Sequence, residues 1–251
     1  MDLIEEYRMQ AGWRNWESYI TCLPIKANDV IYDLGCSLGF VSKILSNQAA
    51  MVYSIDNNQD LLNEAQKINP ASNIIYKTGE LRNIELLELP LADGIWSSFV
   101  AAYFPDFTPI LKKWAKLLKP GGWIALVEMS GLYSHEPLNH FVNEIFRNYS
   151  DRQRINNVYD FEMGKQVKQM MIDCGLSIIH EEEKTDRELN FIGPAEAEIL
   201  KAWETRFNRM SAFRDYVGEE NFQKIKSEFL LCLKSGNHCS KTVVKFLVAK
   251  K

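Results

Sequence analysis

Short apolar runs rich in β-branched residues alternate with amphipathic stretches of helical period between residues 29 and 126. The runs at 30–34, 51–55, 73–77, 94–99 and 123–127 predict strands, and the stretches at 39–47, 59–68, 81–87 and 107–118 predict helices. Each helix returns the chain through a right-handed crossover to the next parallel strand. The pattern therefore predicts an α/β protein with a doubly wound, mostly parallel sheet.

Further helices and strands are predicted on both sides of this region. Helical patterns cover residues 2–21, 137–149, 162–174, 194–216 and 219–234, and the runs at 176–182 and 242–249 predict strands. The last two strands are expected to form an antiparallel hairpin at the sheet edge, which brings the sheet to seven strands. The helices between these two strands are expected to form a lid.

A single domain is expected across residues 1–251, because no repeat, linker or change of composition divides the chain. Residues 29–128 are expected to form the core and 241–250 its last strand. Residues 1–22 are expected to form a helical cap, and the helices at 129–175 and 187–240 to cover a substrate.

Composition and charge exclude several classes of partner. The formal net charge of −4 disfavours a broad nucleic-acid surface, because an acidic body repels phosphates. The five cysteines are scattered and form no C-x-x-C pair, so we expect reduced thiols and no metal site. The acidic start is unlike a secretory signal, and no apolar run approaches about 18 residues. We expect a cytoplasmic monomer or homodimer with no membrane span.

The first strand-to-helix turn carries the clearest sign of a ligand. It reads Asp33-Leu34-Gly35-Cys36-Ser37-Leu38-Gly39. Glycine lets a ligand approach the backbone closely, and the following helix offers unpaired N–H groups. A dinucleotide site requires G-x-G-x-x-G, whereas small residues stand here at alternate positions, so a nicotinamide cofactor is disfavoured.

Two acidic strand ends indicate which ligand the turn binds. Asp33 would repel a pyrophosphate but attract an ammonium group. Asp56 ends the second strand, where a carboxylate accepts hydrogen bonds from a ribose diol. A ligand with both an amino-acid part and a ribose is S-adenosylmethionine.

The segment 29–128 resembles the class I S-adenosylmethionine-dependent methyltransferases, especially the small-molecule branch that includes enzymes of ubiquinone and menaquinone biosynthesis. Asp33, Gly35 and Gly39 match the family's D-x-G-x-G-x-G turn, and Ser37 replaces the middle glycine. This resemblance implies that the turn, with Cys36, holds the methionine part of the cofactor. It also implies a Rossmann-like fold and S-adenosylhomocysteine as the product.

The resemblance extends to three later segments. It implies that Asp56 holds the ribose and that Asn57 lies near the adenine. Gly79, Glu80 and Leu81 resemble the family's G-D-A stretch, in which the acid accepts from the adenine amino group. The fourth strand resembles the one that passes the methyl donor, which implies that Ser97, Ser98 and Phe99 lie near the sulfonium.

Two residues after the fifth strand are candidate catalytic groups. His135 is the preferred general base, and Glu128 stands at the end of that strand. The alternatives are a solvent-exposed loop histidine and a glutamate that caps a helix or forms a local salt bridge. Methyl transfer from a sulfonium chiefly requires alignment and exclusion of water, so the acceptor decides whether a base is needed.

The leading hypothesis is a methyltransferase that acts on a small-molecule acceptor by in-line displacement. Aromatic residues outside the sheet, among them Tyr7, Trp16 and Tyr103, either roof the crevice or belong to the core. An arginine cluster at residues 147–154 either binds an anionic substrate group or is a solvated face. Two alternatives stay open: a methyltransferase for a tRNA nucleoside, and a non-catalytic sensor of S-adenosylmethionine.

Overall fold

A computed structural model describes residues 3–251. The main sheet has seven strands in the order β3-β2-β1-β4-β5-β9-β7. They are β1 Val30–Leu34, β2 Met51–Asp56, β3 Ile74–Thr78, β4 Ala92–Ser98, β5 Leu118–Ser130, β7 Ser177–Lys184 and β9 Val243–Lys250. Strands β1 to β5 are parallel, and β9 pairs antiparallel with both β5 and β7. This confirms the predicted Rossmann-like sheet with its antiparallel edge.

Ten α-helices surround the sheet in the described part of the chain. They are α1 Leu3–Trp13, α2 Trp16–Ile20, α3 Phe40–Ser46, α4 Gln59–Ile68, α5 Phe107–Lys116, α6 His140–Ile155, α7 Met163–Asp173, α8 Ala197–Arg209, α9 Ser211–Val217 and α10 Glu219–Leu233. Two further short strands, β6 His135–Glu136 and β8 Cys239–Ser240, pair antiparallel apart from the main sheet. None of the helices within residues 3–251 is both long enough and apolar enough to cross a bilayer.

Three predicted helices differ from the structure. The predicted N-terminal helix began at Asp2, which lies outside the described residues. The rest of this segment forms two helices, α1 and α2, because the Asn15 side chain caps the start of α2 by accepting from Ser18 N. The stretch Leu81–Leu87 forms 3₁₀ turns with a kink at Asn83, not an α-helix. The stretch 194–216 forms two helices, α8 and α9.

The sheet is buried on both faces, as its apolar strands require. Along β5, Trp123, Ala125 and Val127 belong to the core on one face, while Ile124 and Leu126 belong to the core on the other. The first core includes aromatic side chains of α2, α8, α9 and α10, and the second includes those of α5. The helices α8 to α10, which were predicted to form a lid, therefore continue the hydrophobic core of the sheet.

The strand order changes direction between β1 and β4, which are neighbours although two strands separate them in sequence. Ligands of doubly wound sheets bind beyond the carboxyl ends of the strands at such a switch point. A ligand site is therefore expected among the residues that follow β1, β2 and β4.

Candidate active site

A cavity of about 710 Å³ lies at this switch point. Its floor comes from the ends of β1, β2 and β4, and its roof from α1 and α8. The predicted site residues that line it are Asp33, Gly35, Cys36, Ser37, Asp56, Asn57, Glu80, Leu81, Ser98 and Phe99. The structure thus brings together ten of the residues that were predicted to surround one ligand.

The turn after β1 has little space for side chains. Gly35 has φ of +76°, and a Cβ there would lie 2.2 Å from Val100 Cγ2. Gly39, which does not line the cavity, has φ of +73°, and its Cβ would lie 2.4 Å from the Tyr76 hydroxyl. Both positions require glycine, for conformation and for space. The turn is fixed to the sheet because Gly35 N donates to Ile55 O at 2.7 Å.

Ser37 occupies the position of the family's middle glycine. It adopts φ of +50°, in the left-handed region that glycine favours. Its backbone N–H donates to Asp56 Oδ2 at 2.9 Å, while Asp56 Oδ1 accepts from Asn58 N at 2.9 Å. Asp56 therefore joins the end of β2 to the turn after β1. The Ser37 hydroxyl is buried and has no partner among residues 3–251, so it is available to a polar ligand.

Asp33 lies at the bottom of the cavity with 2% of its surface exposed. Burial and, to a smaller extent, the Asp56 charge raise its pKa to about 7, although Ser42 Oγ donates to Asp33 Oδ2 at 2.5 Å and acts in the opposite sense. A cationic ligand beside Asp33 would stabilise its ionised form. This matches the expected role of Asp33 toward an ammonium group.

The segment after β3 lies at the rim of the cavity. Glu80 is exposed, and its carboxylate accepts from Arg82 N at 3.2 Å, while Leu81 is buried. Gly79 does not line the cavity; a Cβ there would lie 2.5 Å from Leu87 Cδ1, so this glycine permits close packing of the 3₁₀ turns. Asn57 is exposed at the same rim.

The end of β4 contributes one of its two predicted serines. Ser98 lines the cavity, whereas Ser97 is buried outside it and donates to Leu34 O at 2.9 Å, which ties β4 to β1. Phe99 also lines the cavity and has φ of +57°, which is unusual for an aromatic residue. Backbone strain of this kind is concentrated at functional sites.

His135, the predicted general base, does not line the cavity. Its ring is 1% exposed and packs edge-on against Trp203 and Phe229. Nδ1 lies 2.8 Å from His238 Nε2, and Nε2 lies 3.2 Å from Leu132 O. Burial and the neighbouring His238 ring lower the pKa of His135 to about 3. Both ring nitrogens are engaged inside the core, so the geometry offers this ring no path to a substrate proton.

Glu128 is likewise buried, and it does not line the cavity. One carboxylate oxygen, Oε1, accepts from Val100 N at 2.8 Å and from Ala101 N at 2.6 Å. Burial raises the pKa of Glu128 to about 8 against the effect of these hydrogen bonds. Glu128 thereby fixes the loop after β4, which carries Val100 against the glycine turn.

The cavity lining contains functional groups beyond the predicted cofactor-binding and catalytic residues. Four tyrosines and three arginines line the cavity: Tyr7, Tyr103, Tyr133, Tyr159, Arg14, Arg206 and Arg209. Trp16 and Phe99 add apolar surface, and Trp16 also belongs to the hydrophobic core, so both alternatives given for the N-terminal aromatics describe it. The four-residue spacing of Glu6, Gln10 and Arg14 is the sequence pattern that could have indicated polar groups on one side of this segment. By contrast, Arg147 and Arg154 of the arginine cluster are largely exposed on α6.

Comparison with known proteins finds similarity to methyltransferases. Residues 32–126 match the family described as Methyltransferase domain. The chain is 29% identical over 128 residues to demethylmenaquinone methyltransferase of Lactobacillus johnsonii, which covers 48% of this chain and 51% of that protein. It is 24% identical over 150 residues to carboxy-S-adenosyl-L-methionine synthase of Shewanella loihica. This match covers 57% of this chain and 60% of that protein. The matches thus span little more than half of each curated relative.

Among solved structures, coclaurine N-methyltransferase bound to N-methylheliamine and S-adenosylhomocysteine superposes with a TM-score of 0.59. The match covers 98% of this chain and 72% of that one at 15% identity. At this identity the comparison shows only that the folds are similar. Because 98% of this chain is covered, the similarity extends beyond the sheet to the helices that surround it.

Proposed function

Because this chain belongs to the class I S-adenosylmethionine-dependent methyltransferases, we propose that it binds S-adenosylmethionine at the floor of the cavity and methylates a small molecule held under the roof. The observation that carries the proposal is the joint placement of Asp33, Ser37 and Asp56 around one space. The solved and curated relatives supply the family, whereas the site residues and the acceptor are inferred from this chain.

The residues present fit the cofactor. Asp33 is a buried carboxylate that gains from a neighbouring cation, and the Ser37 hydroxyl is a buried group that gains from a polar partner. Each Asp56 oxygen already accepts one backbone hydrogen bond, which leaves lone pairs for a ribose diol. Glycine at position 35 leaves the backbone open to the ligand. We assign these four residues to the methionine and ribose parts.

The cofactor supplies a methyl group that its sulfonium already activates, so the protein's task is to align the acceptor and exclude water. The aromatic roof performs both tasks. No histidine of residues 3–251 lines the cavity. The carboxylates at the floor are assigned to the cofactor, and Glu6 is paired with Arg209. Burial raises the pKa of Tyr7 to about 12, so this phenol is protonated near neutral pH.

The acceptor atom is therefore expected to be nucleophilic near neutral pH without a strong protein base. Amines, carboxylates and carbon or oxygen acids that ionise by themselves meet this condition. The curated relative is named for demethylmenaquinone as its acceptor, and the solved structure of similar fold is named as an N-methyltransferase of coclaurine.

The proposal is tested by incubating the protein with methyl-tritiated S-adenosylmethionine and fractionated small-molecule extracts. Labelled product is expected with the wild-type protein and a strongly reduced amount with Asp33→Asn. Binding of the cofactor without transfer to any small molecule would favour a sensor, and transfer to tRNA alone would favour the nucleoside alternative; either result contradicts the proposal.

A further inference from the structure

A buried ionic cluster joins the two parts of the roof. It consists of Glu6 and Gln10 on α1, Arg14 directly after α1, Asp186 and Glu188 before α8, and Arg206 and Arg209 on α8. Arg14 Nε donates to Asp186 Oδ2 at 2.6 Å, and Arg14 Nη2 donates to Glu188 Oε2 at 3.1 Å. Arg206 pairs with Glu188 and Arg209 with Glu6. Three arginines thus face three carboxylates.

Every carboxylate oxygen of the cluster accepts at least one hydrogen bond. In Glu188, Oε1 accepts from Gln10 Nε2 and from Arg206, and Oε2 accepts from Arg14. In Asp186, Oδ2 accepts from Arg14, and Oδ1 accepts from the backbone N–H groups of Glu188 and Leu189. Both Glu6 oxygens accept from Arg209. The acids of the cluster therefore have their hydrogen-bonding needs met.

One donor of the cluster is left over. Arg206 Nη1 is buried and has no hydrogen-bond partner among residues 3–251. The guanidinium carbon lies 4.5 Å from the Trp203 ring centroid, and Nη2 is held by Glu188, so the plane of the guanidinium is fixed. A buried donor without a partner costs free energy that a ligand acceptor recovers.

Arg206 lines the same cavity as the proposed cofactor residues. Tyr133 and Tyr159 line it too; burial raises the pKa of both phenols and the Arg206 charge opposes that rise, which puts the three groups within electrostatic reach. The lining of the same cavity also includes Leu132, Phe161 and other apolar side chains. The roof end thus offers hydrogen-bond donors beside an apolar surface.

We propose that Arg206, with the hydroxyl of Tyr159, binds a carboxylate of the methyl acceptor, whose remaining body is apolar. This inference rests on the proposed function, since it names the class of acceptor for the same cavity. A carboxylate suits the unpartnered Arg206 Nη1, because charge-assisted hydrogen bonds to Arg are strong and directional. A cationic acceptor would instead meet an arginine whose partner acids are already engaged.

The experiment compares three probes of similar size: phenylacetate, phenylacetamide and phenethylamine. Their dissociation constants are measured by ligand-observed NMR titration at pH 7.5, with saturating S-adenosylhomocysteine and again without it. Wild-type protein is expected to bind phenylacetate at least about tenfold more tightly than either other probe. Equal affinities, a preference for the amine, or no binding of phenylacetate would overturn the inference.

Variants locate the preference. Arg206→Gln is expected to reduce the preference for phenylacetate over phenylacetamide to less than about threefold, whereas the exposed control Arg154→Gln retains it. Tyr159→Phe leaves the ionic cluster intact and is expected to weaken phenylacetate binding about two- to fivefold, which keeps the test open if Arg206→Gln does not fold. An unchanged preference in folded Arg206→Gln would contradict the assignment.

The titration without S-adenosylhomocysteine separates the two proposals. If the wild type does not bind S-adenosylhomocysteine but still prefers phenylacetate, the proposed function is wrong and the anion-binding role of Arg206 stands. If it binds S-adenosylhomocysteine tightly but does not prefer phenylacetate, the proposed function stands and the role of Arg206 is wrong.

Discussion

The floor and the roof of the cavity are built in different ways. The floor comes from residues 33–39 and Asp56, in which a glycine turn and a strand end are held by backbone hydrogen bonds. The roof comes from side chains far apart in sequence, and Arg209 and Glu6, 203 residues apart, form one of its ion pairs. The floor is thus determined locally, whereas the roof depends on the complete tertiary fold, and substitutions should affect the two separately.

The largest expected effect concerns the floor. Gly35→Ala forces a Cβ against Val100 in a left-handed conformation and should destabilise the protein by about 2–4 kcal/mol. Cofactor binding should be lost in whatever protein still folds. The control is Gly175→Ala, which has a similar φ of +78° but no atom within 4 Å of the added Cβ. Chemical denaturation should give a loss of only about 1 kcal/mol for the control; equal losses would show that Val100 does not restrict the turn.

His135→Ala should affect stability without affecting the floor. Removing a ring packed against Trp203 and Phe229 should cost about 2–3 kcal/mol of unfolding free energy, while affinity for S-adenosylhomocysteine stays within about twofold. The matched control is His180→Ala on β7, which is half-buried and should cost less than about 1 kcal/mol. A large loss of turnover in His135→Ala that remains folded under the assay conditions would support the catalytic role predicted from the sequence.

The charge of Asp33 should make cofactor affinity depend on pH. The pKa of Asp33 is raised to about 7, and a cationic ligand binds the ionised form, so a proton must leave when the ligand binds below pH 7. Affinity should therefore fall by up to about tenfold per unit between pH 7 and pH 5.5 and level off above pH 7. Calorimetric titrations across this range measure the slope. Asp33→Asn should bind weakly and without this slope; a slope that persists would assign the proton to another group.

The smallest effect is expected at Ser37. Ser37→Gly removes the cost of φ at +50°, but glycine also gains freedom in the unfolded chain. The two contributions should leave the free energy of unfolding within about 1 kcal/mol of wild type. Cofactor affinity should fall only slightly, through loss of the hydroxyl group. A loss of affinity above about tenfold would show that the serine hydroxyl, not the backbone, dominates this contact.

The sheet and the floor could be predicted from the sequence because their signals are local. Apolar runs gave the strands within a few residues, and Asp33, Gly35 and Asp56 stand at fixed offsets from the strand ends. Ser37 could not be predicted in the same way, since no local pattern indicates whether a serine keeps the left-handed backbone of a glycine.

The roof could not be predicted because its contacts have no pattern along the chain. In the sequence, Arg206 looks like an ordinary polar position of an amphipathic helix. Its ion pair with Glu188, which Gln10 of α1 also contacts, exists only in the folded structure. His135 was expected near the substrate because it follows β5, but the two-residue strands β6 and β8 draw it into the core beside His238. Strands this short have no periodicity that a sequence pattern detects.

The most direct test of the account is a calorimetric titration of S-adenosylhomocysteine into wild-type protein and Asp56→Ala. The wild type should bind at one site, and the variant should bind more weakly by about 1–3 kcal/mol, because it loses charge-assisted hydrogen bonds to the ribose and the support of Ser37 N. The exposed neighbour Asp60→Ala should bind as wild type does. No binding by the wild type, or equal affinity in folded Asp56→Ala, would contradict the assignment of this cavity to the cofactor.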